Sequence, residues 1–233
     1  REQLAGLMSR FAEIAARNPY AMFEAPATLE AIRDESQKNR MISDPHLKSM
    51  VAKDGVNQAA ALVMTRYETA ESLGVADRAI FLHGHATGSE PAVLNRPSLA
   101  QAESMTAAYH GALRNAGIEA QQLGAMDLYS CFPIAVWCAM DALGVSLDDP
   151  RPLTLTGGLS FFGGPGNNYS THGIAEMVHW LRARSEPSYG LVGANGGYLS
   201  KHAVGVYANV SSPFPEPVSE PGPATPVETI EKP

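Results

Sequence analysis

The run Leu153-Thr154-Leu155-Thr156-Gly157-Gly158-Leu159-Ser160-Phe161-Phe162-Gly163-Gly164-Pro165-Gly166-Asn167-Asn168 constrains the fold more than any other part of the chain. Ahead of the glycines it reads as a strand. Behind them, Ile174, Met177, Val178 and Leu181 recur at helical spacing and predict a helix over residues 171–184. Glycine pairs between a strand and a helix let backbone approach backbone or ligand closely, as a packed α/β layer requires. The alternation continues elsewhere. Residues 59–64 and 78–85 read as strands around a short helix at 68–73 closed by Gly74. Residues 98–116 read as a helix with Ser98 and Gln101 in capping-box register and Gly117 past its end. Residues 126–132 read as a strand running into an apolar helix at 134–143, stopped by Gly144. Residues 189–210 read as a strand, a glycine-rich bend at 193–197 and an apolar strand at 203–210. Strands alternating with helices predict an α/β layered fold.

The flanks are simpler. Leu4, Leu7, Phe11 and Ile14 predict an amphipathic first helix ending near Asn18-Pro19. Residues 20–50 are polar and irregular apart from a helical stretch near 28–33, and the core is expected elsewhere. From Ser211 the chain is Pro-rich and acidic, an expected linker or tail. It opens at Arg1 without an initiator Met and reads as a segment entered partway. With 17 Lys and Arg against 24 Asp and Glu the formal charge is −7, so the basic stripe that nucleic acid requires is missing and no nucleic-acid partner is expected. Cys131 and Cys138 suggest neither a disulfide framework nor a metal cage. No apolar run reaches the roughly 20 residues of a membrane span. The expected place is the cytoplasm.

Candidate site residues follow from the strand-to-helix junctions. Residues 129–131 fall at the carboxyl edge of a predicted sheet, where α/β folds gather ligands. Tyr129 there reads as a phenol able to hold or accept a proton, or as an ordinary half-buried tyrosine; Cys131 reads as a contact residue or as a structural thiol. His172 at the start of a helix and His202 on the second glycine-rich bend read as neutral imidazoles able to act as bases, or as inert surface residues. Gly158, Gly164 and Gly196 read as points of close backbone approach to a ligand or a packed partner. Asn167, Asn168 and Ser170 supply donors at a helix start, pointing to acyl or phosphate contact. His83-Gly84-His85 has the look of a metal pair but lacks a third ligand and reads better as two polar strand-end residues.

Four segments in order carry a family resemblance: NPYAMF from Asn18, DGVNQAAALVMTRYETAESLG from Asp54, the glycine block from Gly157 with HGIAEMVHWLRA, and GANGGYLSKHAVGVY from Gly193. Together they resemble the thiolase superfamily, in its sterol-carrier-protein type branch and especially its type-one thiolase-like proteins. The resemblance implies an incomplete αβαβα fold: part of a loop domain at residues 1–50, the last strands of the N-terminal half at 51–92, the C-terminal half at 93–210 and a tail at 211–233. It implies acyl-CoA-directed, acetyl-CoA acetyltransferase-like chemistry in lipid metabolism, with coenzyme A esters as substrate and no resident cofactor. In the family a histidine in a Gly-His-Pro turn and a cysteine in a second glycine loop move protons. Gly163-Gly164-Pro165 and Ala194 or Asn195 stand at those positions here. The alternatives implied are a retro-aldolase that uses Tyr129 with a small acyl-CoA-binding partner chain, and a non-catalytic acyl-CoA-binding or assembly subunit. Expected partners are an acyl-CoA, the N-terminal half of the fold or a second copy.

Overall fold

The computed structural model describes residues 1–23 and 28–211. In chain order the main elements are α1 (Glu2–Ala15), α2 (Leu29–Arg33), β1 (Met41–Ser43), β2 (His46–Leu47), α3 (Tyr67–Ser72), β3 (Phe81–Ser89), α4 (Glu103–Ala116), β4 (Leu123–Asp127), α5 (Pro133–Leu143), α6 (Tyr169–Arg182), β5 (Tyr189–Gly196) and β6 (Lys201–Ala208). A four-stranded sheet runs in the order β3-β6-β5-β4, with β4 and β5 parallel and the other neighbours antiparallel. β1 and β2 make a separate small hairpin. The α/β expectation holds, with a single mixed sheet between helices among the described residues.

Helices cover both faces of the sheet. On one, α4 and α5 pack with α1 around Met126, Leu191, Val204 and Val206. On the other, Met177 and Leu181 of α6 pack on Ala125 and Val192. The approach of α4 is unusually close. A Cβ on Gly84 would lie 2.5 Å from both the Ala112 carbonyl oxygen and the Ala116 amide nitrogen, and one on Gly88 would strike the Ser104 backbone. Period two along β3 puts Gly84, Ala86 and Gly88 on one face, so the helix rides almost directly on strand backbone.

Several boundaries depart from the sequence expectation for physical reasons. Residues 59–64 form no strand; they run extended and exposed, with Val63 at 97% and Met64 at 76% accessibility. α4 begins at Glu103, and neither Ser98 nor Gln101 caps it. The carboxylate of Glu90, beyond the end of β3, accepts the Ser104 amide at 2.6 Å instead, a tertiary cap that local sequence does not encode. β4 stops at Asp127, and residues 153–156 are no strand, although Pro152 and Leu153 accept the amides of Met126 and Leu128 alongside it. β3, within the segment expected at 51–92, pairs with β6, so one sheet joins it to β5 and β4. Residues 20–50 do reach the core: Ile32, Leu47 and Met50 are fully buried, and Asn39 ties the excursion together through Ala31, Ile32, Asp34 and Ser49. α1 buries Leu4, Leu7 and Phe11 as expected and is pinned by Arg10, which donates to the carbonyls of Leu147 and Asp149. The expected Pro-rich tail lies, beyond Ser211, outside the described residues.

Candidate functional site

β4 and β5 are parallel, so their carboxyl ends open on the same edge of the sheet. There the chain after β4 (residues 128–132), the glycine-rich loop, the start of α6 and the end of β5 meet. What holds them is a buried carboxylate. Asp127 is fully buried, and its Oδ2 accepts from Thr154 Oγ1 (3.0 Å), Leu155 N (2.8 Å), Thr156 N (3.0 Å) and Thr156 Oγ1 (3.1 Å). The Tyr169 hydroxyl reaches its Oδ1 at 3.4 Å and lies 2.7 Å from Thr156 Oγ1. Burial pushes the carboxyl upward from its ordinary value while these bonds pull it back down. Asp127, Thr154, Thr156 and Tyr169 were absent from the sequence candidates. A lone Asp at the end of an apolar strand, followed downstream by Thr-x-Thr before two glycines, was the available signal, since a buried carboxylate requires donors.

The glycines serve packing first. Gly158 has φ of 79°, and a Cβ there would sit 2.6 Å from both the Phe11 ring and Ser130 Oγ. The loop is also gripped from outside: Gly164 N donates to Lys53 O (2.8 Å), Lys53 N to Leu159 O (3.1 Å), and Gln58 Nε2 to Phe162 O (3.1 Å). Asn168 spends its amide on the extended segment, accepting from Ala60 N (2.8 Å) and donating to Ala60 O (3.2 Å). Asn167 is exposed, Ser170 half-buried, and Gly196 ends β5 with nothing within 4 Å of a Cβ built on it.

The proposed proton-handling residues divide into two groups. Tyr129 is half-buried, its ring edge-on to Tyr169 at 5.4 Å, and burial raises its phenol pKa. His172 is 93% buried in the first turns of α6, edge-on to Phe162 at 5.2 Å, with burial lowering its pKa and no partner for Nε2 among the described residues. It borders a cleft of ≈ 820 Å³ between α6 and the extended segment, lined also by Gln58, Glu176 and His179. His202 belongs to the opposite face. It pairs in register with Gly88, whose missing Cβ points at Ser104 of α4, and with Asn195 on β5. The structure therefore does not bring His172 and His202 together.

Cys131 connects to the second group, its Sγ donating to Asn195 Oδ1 at 3.7 Å; burial raises its pKa, so the thiol is held in its protonated form. His83 Nε2 lies 2.6 Å from the Val210 carbonyl while His85 is exposed, and no group of three metal-ligating side chains occurs among the described residues. No described helix is long and apolar enough to cross a membrane.

No family model and no curated protein sequence matches the chain. Solved structures do. A monomeric SCP2-thiolase-like protein type 1 from Mycobacterium smegmatis superposes with a TM-score of 0.85 at 42% identity over 93% of this chain. This chain belongs to the thiolase superfamily. It spans about half, 48%, of that structure's length. An Ltp2–ChsH2(DUF35) aldolase (TM-score 0.64, 18% identity, 89% of this chain and 58% of that one) and the dimeric peroxisomal thiolase of Saccharomyces cerevisiae (TM-score 0.61, 14% identity, 89% and 55%) share the fold. At those identities the thiolase frame alone is common ground.

Proposed function

We propose that the chain is the acyl-CoA-directed C-terminal half of a thiolase-like protein, acetyl-CoA acetyltransferase-like in substrate class and placed in lipid metabolism. In this reading its chemistry is not the standard cysteine–histidine acyl transfer. The observation that carries the reading is the sheet edge itself, where glycine turns fit a thiolase frame while Gly164 and either Ala194 or Asn195 stand at the positions that the family resemblance gives to proton-handling side chains. A thiol must ionise to attack and an enolate needs a base of matched pKa. Cys131 is held protonated by burial, and Gly164 offers no side chain.

A second reading is favoured by Tyr129. Its phenol stands at the carboxyl edge of β4 beside Tyr169, where a retro-aldolase acting on a β-hydroxyacyl-CoA would use it with a small acyl-CoA-binding partner chain. The likeness to an aldolase solved with a DUF35 chain is in keeping with this reading. A non-catalytic acyl-CoA-binding or assembly subunit would need neither Tyr129 nor a base. The N-terminal half of the fold, or a second copy, is the partner proposed for the exposed extended segment.

Native mass spectrometry of the purified chain with acetyl-CoA tests the reading. An adduct with the CoA ester, alone or with a companion polypeptide, supports it and makes thiolysis and aldol-cleavage assays informative. A chain that travels alone and binds no CoA ester refutes it.

A further inference from the structure

Two buried polar atoms on adjacent strands lack partners in a complementary way. Asn195 and His202 are directly opposed residues of β5 and β6, and in an antiparallel pair opposed Cβ atoms stand about 4.5–5.5 Å apart on the same face. His202 is 97% buried. Its Nε2 lies 3.1 Å from the Leu199 carbonyl oxygen, and its Nδ1 is buried without a partner among the described residues. A carbonyl oxygen only accepts, so Nε2 carries the proton and Nδ1 presents a lone pair. Asn195 is oriented by Cys131, whose thiol donates to its Oδ1, which leaves the Nδ2 donor buried and unmatched. An unmatched donor and an unmatched acceptor thus sit on directly opposed residues at the end of β5, beside a partly exposed Cys131. Ser104 Oγ, on the helix turn over Gly88 across from His202, is a further buried atom without a partner.

A single atom that satisfies both groups must accept one hydrogen bond and donate another. Carbonyl, carboxylate and phosphate oxygens only accept, and ammonium only donates; a hydroxyl oxygen does both. We propose that Asn195 and His202 form a two-point seat for a hydroxyl oxygen, supplied by the β-hydroxyl of a hydroxyacyl thioester or by water. In the seat the oxygen accepts from Asn195 Nδ2 and donates to His202 Nδ1, while Cys131 fixes which end of the amide faces it. The substrate arm rests on the acyl-thioester reading above; the hydrogen-bond arm does not.

The test uses the full chain and its His202→Phe, His202→Gln and Asn195→Ala variants, with thermal melts to establish folding. Affinities for β-hydroxybutyryl-CoA and butyryl-CoA are measured by titration calorimetry, and the imidazole ¹⁵N signals of His202 are read by NMR. For a hydroxyl seated by substrate, the native chain prefers the hydroxylated ester by about tenfold, the worth of one or two well-made hydrogen bonds. His202→Phe and Asn195→Ala then abolish the preference, while His202→Gln, whose amide oxygen can still accept, keeps part of it. Equal affinities, with an Nδ1 signal that reports an accepted hydrogen bond and moves in Asn195→Ala, assign the seat to water and overturn the substrate arm. Equal affinities with a free-nitrogen Nδ1 signal overturn the seat while the acyl-thioester reading stands. If neither ester binds, the acyl-thioester reading and the substrate arm fail together, and the Nδ1 signal alone upholds or overturns the seat.

Discussion

Replacing Asp127 should loosen the whole sheet edge, and the size of the effect follows from its bonding. In Asp127→Ala the amides of Leu155 and Thr156 lose their acceptor in a buried setting. A buried donor left unmade costs about 1–3 kcal/mol, so the pair costs roughly 2–6. The hydroxyls add little, because Thr154 and Thr156 already lie 3.2 Å apart, and Thr156 and Tyr169 lie 2.7 Å apart, and so satisfy one another. Relief from desolvating a carboxylate offsets part of the loss, which leaves about 3 kcal/mol, a drop of about 6–12 °C in melting temperature for a chain of this size. Asp127→Asn keeps an acceptor at the Oδ2 position and sets its NH₂ against the Tyr169 oxygen, and should cost about 1 kcal/mol or less at pH 7. The sign with pH is fixed by burial, which raises the folded carboxyl above its ordinary value of 3.8. The native state then holds the proton more tightly, and this contribution is complete below 3.8 and lost as pH rises through the folded pKa. Asn cannot titrate, so the gap between native chain and Asp127→Asn narrows with rising pH. Urea unfolding followed by the fluorescence of Trp137 and Trp180, with m-values compared, measures all of this. Equal losses for Ala and Asn, or a loss below about 1 kcal/mol for Ala, would refute the network's role.

Gly84→Ala should destabilise by about 3 kcal/mol, since three α4 backbone atoms lie within 3.0 Å of the added Cβ and the helix must lift; the same denaturation series checks it against Gly55→Ala, whose Cβ meets nothing within 4 Å. Asp149 and Arg151 make a fork-on-carboxylate pair at 2.7 and 2.9 Å, and Arg151 also donates to Ala120 and Leu123 carbonyls. The pair lowers the Asp149 pKa below 3.8, so its contribution is present above 3.8 and lost as pH falls through the folded value. Asp149→Asn should cost about 1 kcal/mol at pH 7 and nothing in acid, measured by melts across that range. Tyr129→Phe should remove aldol cleavage while ester affinity in calorimetry is kept, if the phenol is the proton acceptor; full turnover in this variant removes the retro-aldolase reading.

Where the sequence reading succeeded, local periodicity was enough. The buried faces of α1 and α6, and the left-handed glycines 117 and 144 that end α4 and α5, are written in neighbouring residues. It failed where a distant group supplied the missing part. The start of α4 depends on Glu90, 14 positions away, and Asp127 finds its donors 27 to 29 positions downstream. Residues 59–64 have the composition of a strand, but a strand exists only with a neighbour to pair with, and none is provided among the described residues. The site was legible as a place, the edge where Tyr129 and Cys131 emerge, and less so as an arrangement. Nothing in a linear pattern says that His172 and His202 end on opposite faces of the sheet.

The extended run at residues 59–64 has a colloidal consequence. Its backbone is tied down chiefly by the Asn168 amide at Ala60, and Val63 and Met64 stand in solvent. No charge or proline interrupts Ala59 to Met64, the devices by which proteins usually blunt such an edge. The shelf life of concentrated chain should therefore be set by self-templating at this run, with turbidity rising steeply with concentration and suppressed by Val63→Lys, a change that touches neither the core nor the sheet edge.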